Sequence, residues 1–571
     1  MDRFNRNLVK GFLHADGTKI VNGDGQEIIL NGYGCGNWTN PEGFMVGAPT
    51  DIRLKGDIFA PRLLPPRRFD RRRTFDQVLR ELCGTEYAKS FWPLWYRNHL
   101  GEADIRAMAQ MGLNSVRLPI NAVTLLAEEP GMVWDEDGFA MLDQVIDWCE
   151  KYRIYAILDL HAAPGGQSAT ACDGGLDNIP HLFIDDESWE RAMRLWERLA
   201  ERYADRWIVG GYDLLNEPVS LPNHRYCVPK LAAFYDEAIA RVRKIDKVHM
   251  FTLEGSCFSR SNEIFDHDYD PECHNWCIHV HMYGASPEKK ELYPYLLKGK
   301  ALNVPVWIGE GASAPQSNAV FFQIAADYGI GFCLWCWKVA DETDHSHGGM
   351  GPRGISYDLP RDWEAVRRYC AGGPKPSYER SRAIFDELLE NIRYENCHGN
   401  EDYIRVTRRV PDLDLPAVGY DNLPGDGRSF VGSWNYGNLL NYRLEDRTKL
   451  VWTPGIEEPR PGFDMYEDEN IQPPFDPLKV LMLELGAGEY AVYTVREVKA
   501  GCGFSVTGRA LESAQLEVCA DGVSLGTIVL GNALGRDQTR LTLPQGEEIH
   551  VKLRCVRGRV QLKMLHFYYD K

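Results

Sequence analysis

Eight short apolar runs, each closing on polar or glycine-rich residues, limit the folds open to this chain more than any other feature. They are 28–33, 115–119, 155–161, 212–218, 249–255, 277–283, 305–310 and 332–337. Runs that are apolar on both faces have the pattern of buried parallel strands. Between them, residues 104–111, 140–152, 189–203 and 231–245 place apolar side chains at three- and four-residue spacing, as amphipathic helices do. The last four runs end at 254, 283, 310 and 337, which are 29, 27 and 27 residues apart. Eight strands at that pitch predict an α/β chain folded as a (β/α)₈ TIM barrel, since an open doubly wound sheet rarely needs eight regular units.

Insertions and a change of texture complete the organisation. A stretch of roughly 60 residues, Asn37 to Tyr96, follows the first strand and includes Pro65-Pro66-Arg67-Arg68-Phe69-Asp70-Arg71-Arg72-Arg73. This basic run is expected to be a solvated loop with Asp70 as its counter-charge, in an insertion that walls the barrel mouth. The helix Ser377 to Ile392 should close the barrel. Beyond Gly399 short alternating strands punctuated by turns take over, as at 478–483, 490–495, 513–518 and 550–553. They predict an all-β, jelly-roll-like sandwich, giving a barrel over 1–395 and a sandwich over 396–571. Thr453 to Pro477, rich in proline and acids, reads as a long loop within or beside that sandwich.

Composition excludes several functions. The 571 residues carry 64 Lys and Arg against 82 Asp and Glu, a net charge of −18, which argues against binding a polyanionic nucleic acid. No run of about 20 apolar residues exists to span a membrane. The first ten residues lack an apolar core of signal-peptide length, and the 15 cysteines lack disulfide-framework spacing, so a cytoplasmic location is expected. Cys273-His274-Asn275-Trp276-Cys277 has no second Cys/His pair to complete a zinc site. Cys333 and Cys336 have redox spacing but would point to opposite faces of a strand. No metal and no cofactor are therefore expected.

In a (β/α)₈ barrel the carboxyl ends of the strands converge on one mouth. Here those ends present Arg117, His161, Asn216, Glu217, Glu254, His281, Tyr283, Glu310, Trp335 and Trp337. Carboxylates whose neighbours push their proton affinities apart are the equipment of glycoside hydrolysis, and indoles suit the apolar face of a sugar. A carbohydrate substrate is the implied partner. Three glutamates compete for two catalytic roles. Glu217 follows Asn216 and precedes Pro218, Glu310 follows Gly309, which permits close approach of backbone or ligand, and Glu254 is a rival by position.

Six segments in register resemble glycoside hydrolase family 5 over about residues 11–392. They are Asn114-Ser115-Val116-Arg117-Leu118-Pro119-Ile120, Leu158 to Gln167, Leu215-Asn216-Glu217-Pro218, His281-Met282-Tyr283, Ile308-Gly309-Glu310 and Trp335-Cys336-Trp337-Lys338. The second of these, with Gly34-Cys35-Gly36-Asn37-Trp38, is most similar to the exo-β-1,3-glucanase and β-glucosidase side of that family of clan A retaining β-glycosidases. The resemblance implies retaining hydrolysis of a β-glycoside, with Glu217 as acid/base and Glu310 as nucleophile. It further implies that Asn216 holds the hydroxyl beside the anomeric carbon and that Arg117 keeps the nucleophile ionised. Tyr283 and His281 would bond around the glutamates, His161 would hold sugar hydroxyls, and Trp38 would join the substrate-binding set. Trp335 aligns best with the family's stacking Trp, though Trp337 shares its strand parity.

The insertion after the first strand, and the segment Gly166 to Gly175, depart from the family pattern at the rim that sets specificity. β-Glucosidase, β-mannosidase, disaccharide-releasing and glycolipid β-glucosidase activities all remain open, as does an inactive carbohydrate-binding protein. The block Glu484 to Val495 resembles family 6 carbohydrate-binding domains, and Trp434, Tyr436, Tyr442 and Trp452 are its available aromatics.

Overall fold

The structure, a computed structural model, describes residues 2–47, 67–128, 130–341, 354–456 and 476–570. Pro65 and Pro66 of the basic run, and residues 457–475 of the acidic loop, lie outside the described residues.

Eight parallel strands close into a barrel: β1 (Asn31–Gly34), β2 (Ser115–Asn121), β3 (Tyr155–Ala162), β4 (Val209–Asp213), β5 (Phe251–Glu254), β6 (Trp276–Tyr283), β7 (Val306–Ala312) and β8 (Gly331–Trp335). β8 pairs with β1 to complete the circle. Each overlaps one of the eight apolar runs, and every residue of β2, β3 and β7 is buried, as strands covered on both faces must be. Helices Glu136–Tyr152 and Asp186–Tyr203 begin three or four residues before their apolar periodicity does. Asp135 and Asp185 cap them by accepting backbone N–H groups, and acids fill their first turns, so the true starts are polar.

The insertion after β1 folds into helices Arg72–Cys83 and Thr85–His99. Phe75, Phe91 and Trp95 pack there with Trp363 and Phe385 in an apolar cluster of their own. The basic run departs from the solvated loop expected of it. Arg71 is fully buried and donates to the carbonyls of Gly175 and Asp177 and to Asn178 Oδ1, tying the insertion to the loop after β3. Asp70 does pair with Arg68 and Arg71.

The C-terminal region is built from two antiparallel sheets. One contains Lys449–Trp452, Leu481–Gly486, Arg559–Tyr568 and Gly503–Ala510, and the other Tyr490–Val498, Gly546–Arg557, Gln515–Ala520 and Val523–Ile528. Burial alternates along Gln515–Ala520 and Gly546–Arg557, the signature of sheets with one face on a core. The run expected to be a strand from Leu478 instead begins as a helical turn, Pro477–Val480, capped by Asp476 with Pro477 in its first turn. Tyr442 leaves the aromatic set available for sugar: it is buried, and its hydroxyl donates to the carbonyl of Pro287 in the segment after β6. Among the described residues no helix is long and apolar enough to cross a membrane. All 15 cysteines are free thiols.

Candidate active site

Side chains at i and i+2 on a strand share a face, so β3 directs Asp159 and His161, and β6 directs His279, His281 and Tyr283, toward one mouth. β2 adds Arg117, β5 Glu254 and β7 Glu310. β4 stops at Asp213, and the chain turns so that Asn216 and Glu217 follow the strand rather than end it; Glu217 itself adopts a left-handed φ of 41°.

Arg117, fully buried, is the hub. Its Nε donates to Asp213 Oδ2 at 2.7 Å, Nη1 to Glu310 Oε2 at 2.8 Å, and Nη2 to Asn216 Oδ1 at 2.9 Å and Glu254 Oε1 at 3.0 Å. Asp159 Oδ1 lies 3.2 Å from Nη2. Burial alone would favour the neutral guanidine, but Asp159, Asp213, Glu254 and Glu310 hold Arg117 well above its ordinary range.

The two leading glutamates are held differently. Glu310 accepts from Arg117 on one oxygen and from the Tyr283 hydroxyl on the other, at 2.6 Å. Glu217 Oε1 lies 2.9 Å from His281 Nδ1, and its backbone N–H donates to Glu254 Oε2 at 2.7 Å. Glu254, the positional rival, is therefore fully buried between Arg117 and the Glu217 backbone. Burial would neutralise His281, yet Glu254, Glu310 and Glu217 raise it well above the usual imidazole range, so it is a charged donor. An oxygen of Glu217 and an oxygen of Glu310 lie within 4.8 Å of each other. The sets Glu217–His281–Glu310 and Glu254–His279–His281 have spacing that could hold a metal ion.

On the opposite side, the His161 ring stacks on Trp335 with centroids 5.1 Å apart and planes 3° apart. His161 Nδ1 lies 2.7 Å from Asp159 Oδ2, and Nε2 lies 3.9 Å from Glu42 Oε1. Burial would lower His161, but Asp159 and Glu42 push it up to about 10. Trp335 fits because Gly34 lies beneath it: a Cβ there would sit 2.5 Å from the indole. Gly309 likewise makes room, though its close neighbour is the His279 ring rather than backbone or ligand.

Two predicted site residues turn away from the mouth. Trp337 is buried against Tyr33 and donates its indole N–H to Asp104 Oδ1 at 2.8 Å. Strand parity does not reach it, because β8 ends at Trp335. Trp38 is fully buried, with its indole N–H on the Tyr96 carbonyl at 3.1 Å and its own carbonyl accepting from Trp95, so it anchors the insertion. Asp159, His279, Asp213 and Glu42 join the site without standing among the predicted residues. Asp159 and His279 share parity with His161 and His281, and Asp213 ends β4, so strand phase could have found them. Glu42 lies in the loop after β1, where no periodicity reports position.

A closed eight-stranded barrel with two carboxylates facing each other from β4 and β7 across a buried arginine is the architecture of a carboxylate-pair glycoside hydrolase. Residues 77–341 of this chain match the model of the Cellulase (glycosyl hydrolase family 5) family. The chain is 33% identical over 282 residues to a β-xylosidase of Phanerodontia chrysosporium, covering 48% of this chain and 54% of that protein. It is 29% identical over 182 residues to a glucan 1,3-β-glucosidase of Candida oleophila, covering 31% and 40%. The chain thus spans about half the length of the curated relatives it matches. A solved endogalactoceramidase aligns over 97% of this chain and 99% of its own at 15% identity, with a TM-score of 0.44.

Proposed function

We propose that this protein is a retaining, exo-acting β-glycosidase that hydrolyses a β-glucoside, or a related β-glycoside or short oligosaccharide, by double displacement. The observation that carries the reading is the separation of the glutamates, whose oxygens approach within 4.8 Å. Retention needs carboxyl groups about 5–5.5 Å apart, whereas inversion needs about 6.5–9.5 Å to admit a water. The exo-acting reading draws on the likeness to proteins named β-xylosidase and glucan 1,3-β-glucosidase.

Glu310 attacks the anomeric carbon while Glu217 passes its proton to the departing glycosidic oxygen. Glu217, now a carboxylate, then takes a proton from the water that cleaves the glycosyl–Glu310 bond. Arg117 and Tyr283 fix both oxygens of Glu310, so the nucleophile is aimed before substrate arrives. Arg117 also occupies the Asn216 oxygen, so the amide offers its NH₂ group to the neighbouring sugar hydroxyl. His161 and Glu42 bind further hydroxyls, and Trp335 provides the apolar wall.

The test is a panel of nitrophenyl β-glycosides and β-linked oligosaccharides, with the first-formed anomer followed by NMR. A β-anomer is expected first; an α-anomer, or cleavage of α-glycosides alone, overturns the reading. Glu310→Ala and Glu217→Ala should each lose several orders of magnitude of activity on an unactivated glycoside while melting as cooperatively as wild type. Full activity in either variant removes that residue from its role.

A further inference from the structure

The loop after β3, which departs from the family pattern, is built as a turn around one carboxylate. Asp173 accepts the backbone N–H groups of Ser168 at 2.9 Å, Ala169 at 3.1 Å and Gly175 at 2.8 Å. Gln167 anchors its base by donating to the carbonyls of His161 and Asn216, at 2.9 and 2.7 Å. The backbone N–H groups of Val219 and Ser220 donate to the carbonyls of Gln167 and Ser168, tying the loop to the chain just beyond Glu217. From the other side Asn40, in the loop after β1, donates to the Cys172 carbonyl at 2.6 Å.

These restraints deliver one side chain. Cys172 Sγ lies 3.7 Å from Glu217 Oε2, the oxygen that His281 leaves free. Thr170 Oγ1 at 2.8 Å and Ser168 Oγ at 3.4 Å flank the sulfur. Burial, with Glu217 and Glu42 nearby, holds the thiol well above its ordinary range, so the group beside Glu217 is S–H rather than thiolate. The charged or titratable groups around Glu217 are Glu42 from the β1 loop, Cys172, Glu254 from β5, His281 from β6 and Glu310 from β7.

We propose that Cys172 is a positioning residue for the acid/base: its S–H donates to Glu217 Oε2, fixing the carboxyl plane between a thiol and an imidazolium. This rests on Glu217 being the acid/base of the reading above. A thiol is a weak donor. It orients Oε2 without holding the carboxylate so tightly that Glu217 cannot regain a proton in each turnover. A hydroxyl at the same place would favour the charged form more, and a methyl group not at all.

Cys172→Ala and Cys172→Ser in the full chain test this with two β-glycosides of one sugar. One has an alkyl leaving group that must be protonated, and the other a dinitrophenolate that need not be. Cys172→Ala should lose about 3- to 10-fold in kcat/KM on the alkyl glycoside and less than about 2-fold on the activated one. The basic limb of the pH profile should fall at the highest pH for alanine, at an intermediate pH for wild type and at the lowest for serine. Equal losses on both substrates, or limbs that coincide or move the same way in both variants, overturn the proposal and leave the glycosidase reading standing. Wild-type protein that cleaves neither substrate overturns both.

Discussion

Buried arginines at the barrel mouth and at the junction with the sandwich have different partners. At the barrel mouth, Arg117 spends its donors on Asp213, Glu310, Glu254 and the Asn216 amide, with Asp159 in ion-pair range, all of them side chains. Where barrel meets sandwich, Arg409 donates to the carbonyls of Ala319 and Gly419 and to Asp421 Oδ1. Arg443 likewise donates to the carbonyls of Val418, Tyr420 and Asp421, with Asp446 as its carboxylate. A carbonyl has a fixed dipole and no protons to exchange, so Arg409 and Arg443 hold chain to chain. Carboxylates gathered around one guanidinium carry several negative charges in a small volume, and each one's proton affinity is set by the others. The first arrangement can do chemistry; the second fastens chain segments, with Arg409 reaching the barrel through Ala319.

The largest effect is expected from Arg117→Met, which leaves four carboxylates buried without their cation. Stability should drop by about 3–5 kcal/mol in chemical denaturation, and kcat/KM of the folded fraction by about 10³-fold or more. Arg409→Met should cost stability of a similar order, because Asp421 loses its partner, yet leave activity per folded molecule at the wild-type level. If Arg409→Met instead loses activity as steeply as Arg117→Met, the two centres are not functionally distinct.

A smaller effect sharpens the mouth alone. Tyr283→Phe removes the hydroxyl on Glu310 but keeps the ring, and should lower kcat by about 10- to 100-fold with KM little changed. An unchanged kcat would mean that Arg117 positions Glu310 unaided.

The smallest effect belongs to the junction and appears in pH. Burial, and then the neighbouring Asp421, raise Asp327 from the ordinary aspartate range to about 7. Its folded form therefore holds the proton more tightly than the unfolded chain does, so this residue's contribution falls as pH rises from about 4 to about 7. Asp327→Asn removes that loss. Its melting temperature should exceed that of wild type above pH 7, and the gap should close toward pH 4. A gap independent of pH would show that Asp327 is charged throughout.

Much of the barrel was legible because a parallel strand buried on both faces must be apolar along its length, and the pitch between such runs is local information. The same reasoning failed where a strand stops. Parity grouped Trp337 with Trp335, but the chain leaves β8 after Trp335 and carries Trp337 to Asp104. Trp38 sits in a promising motif, yet its indole is consumed by Tyr96, a contact 58 residues away that no pattern encodes. Leu478 to Val480 looked like strand until Pro477 and the Asp476 cap turned it into helix.

By itself the amino-acid sequence determined the eight-strand rhythm, the change to an all-β texture, and the placement of Arg117, Glu217 and Glu310 in or just after barrel strands. Those are properties of contiguous chain: periodicity, propensity and residue identity. Only the tertiary structure decided that Glu254 is a buried clamp, that Glu42 and Cys172 stand at the mouth, and that His281 carries charge. Each depends on Coulomb and hydrogen-bond interactions that act over a few ångströms of space, whatever the separation along the chain. Arg117 and Glu310 are 193 residues apart in sequence and 2.8 Å apart in the folded protein.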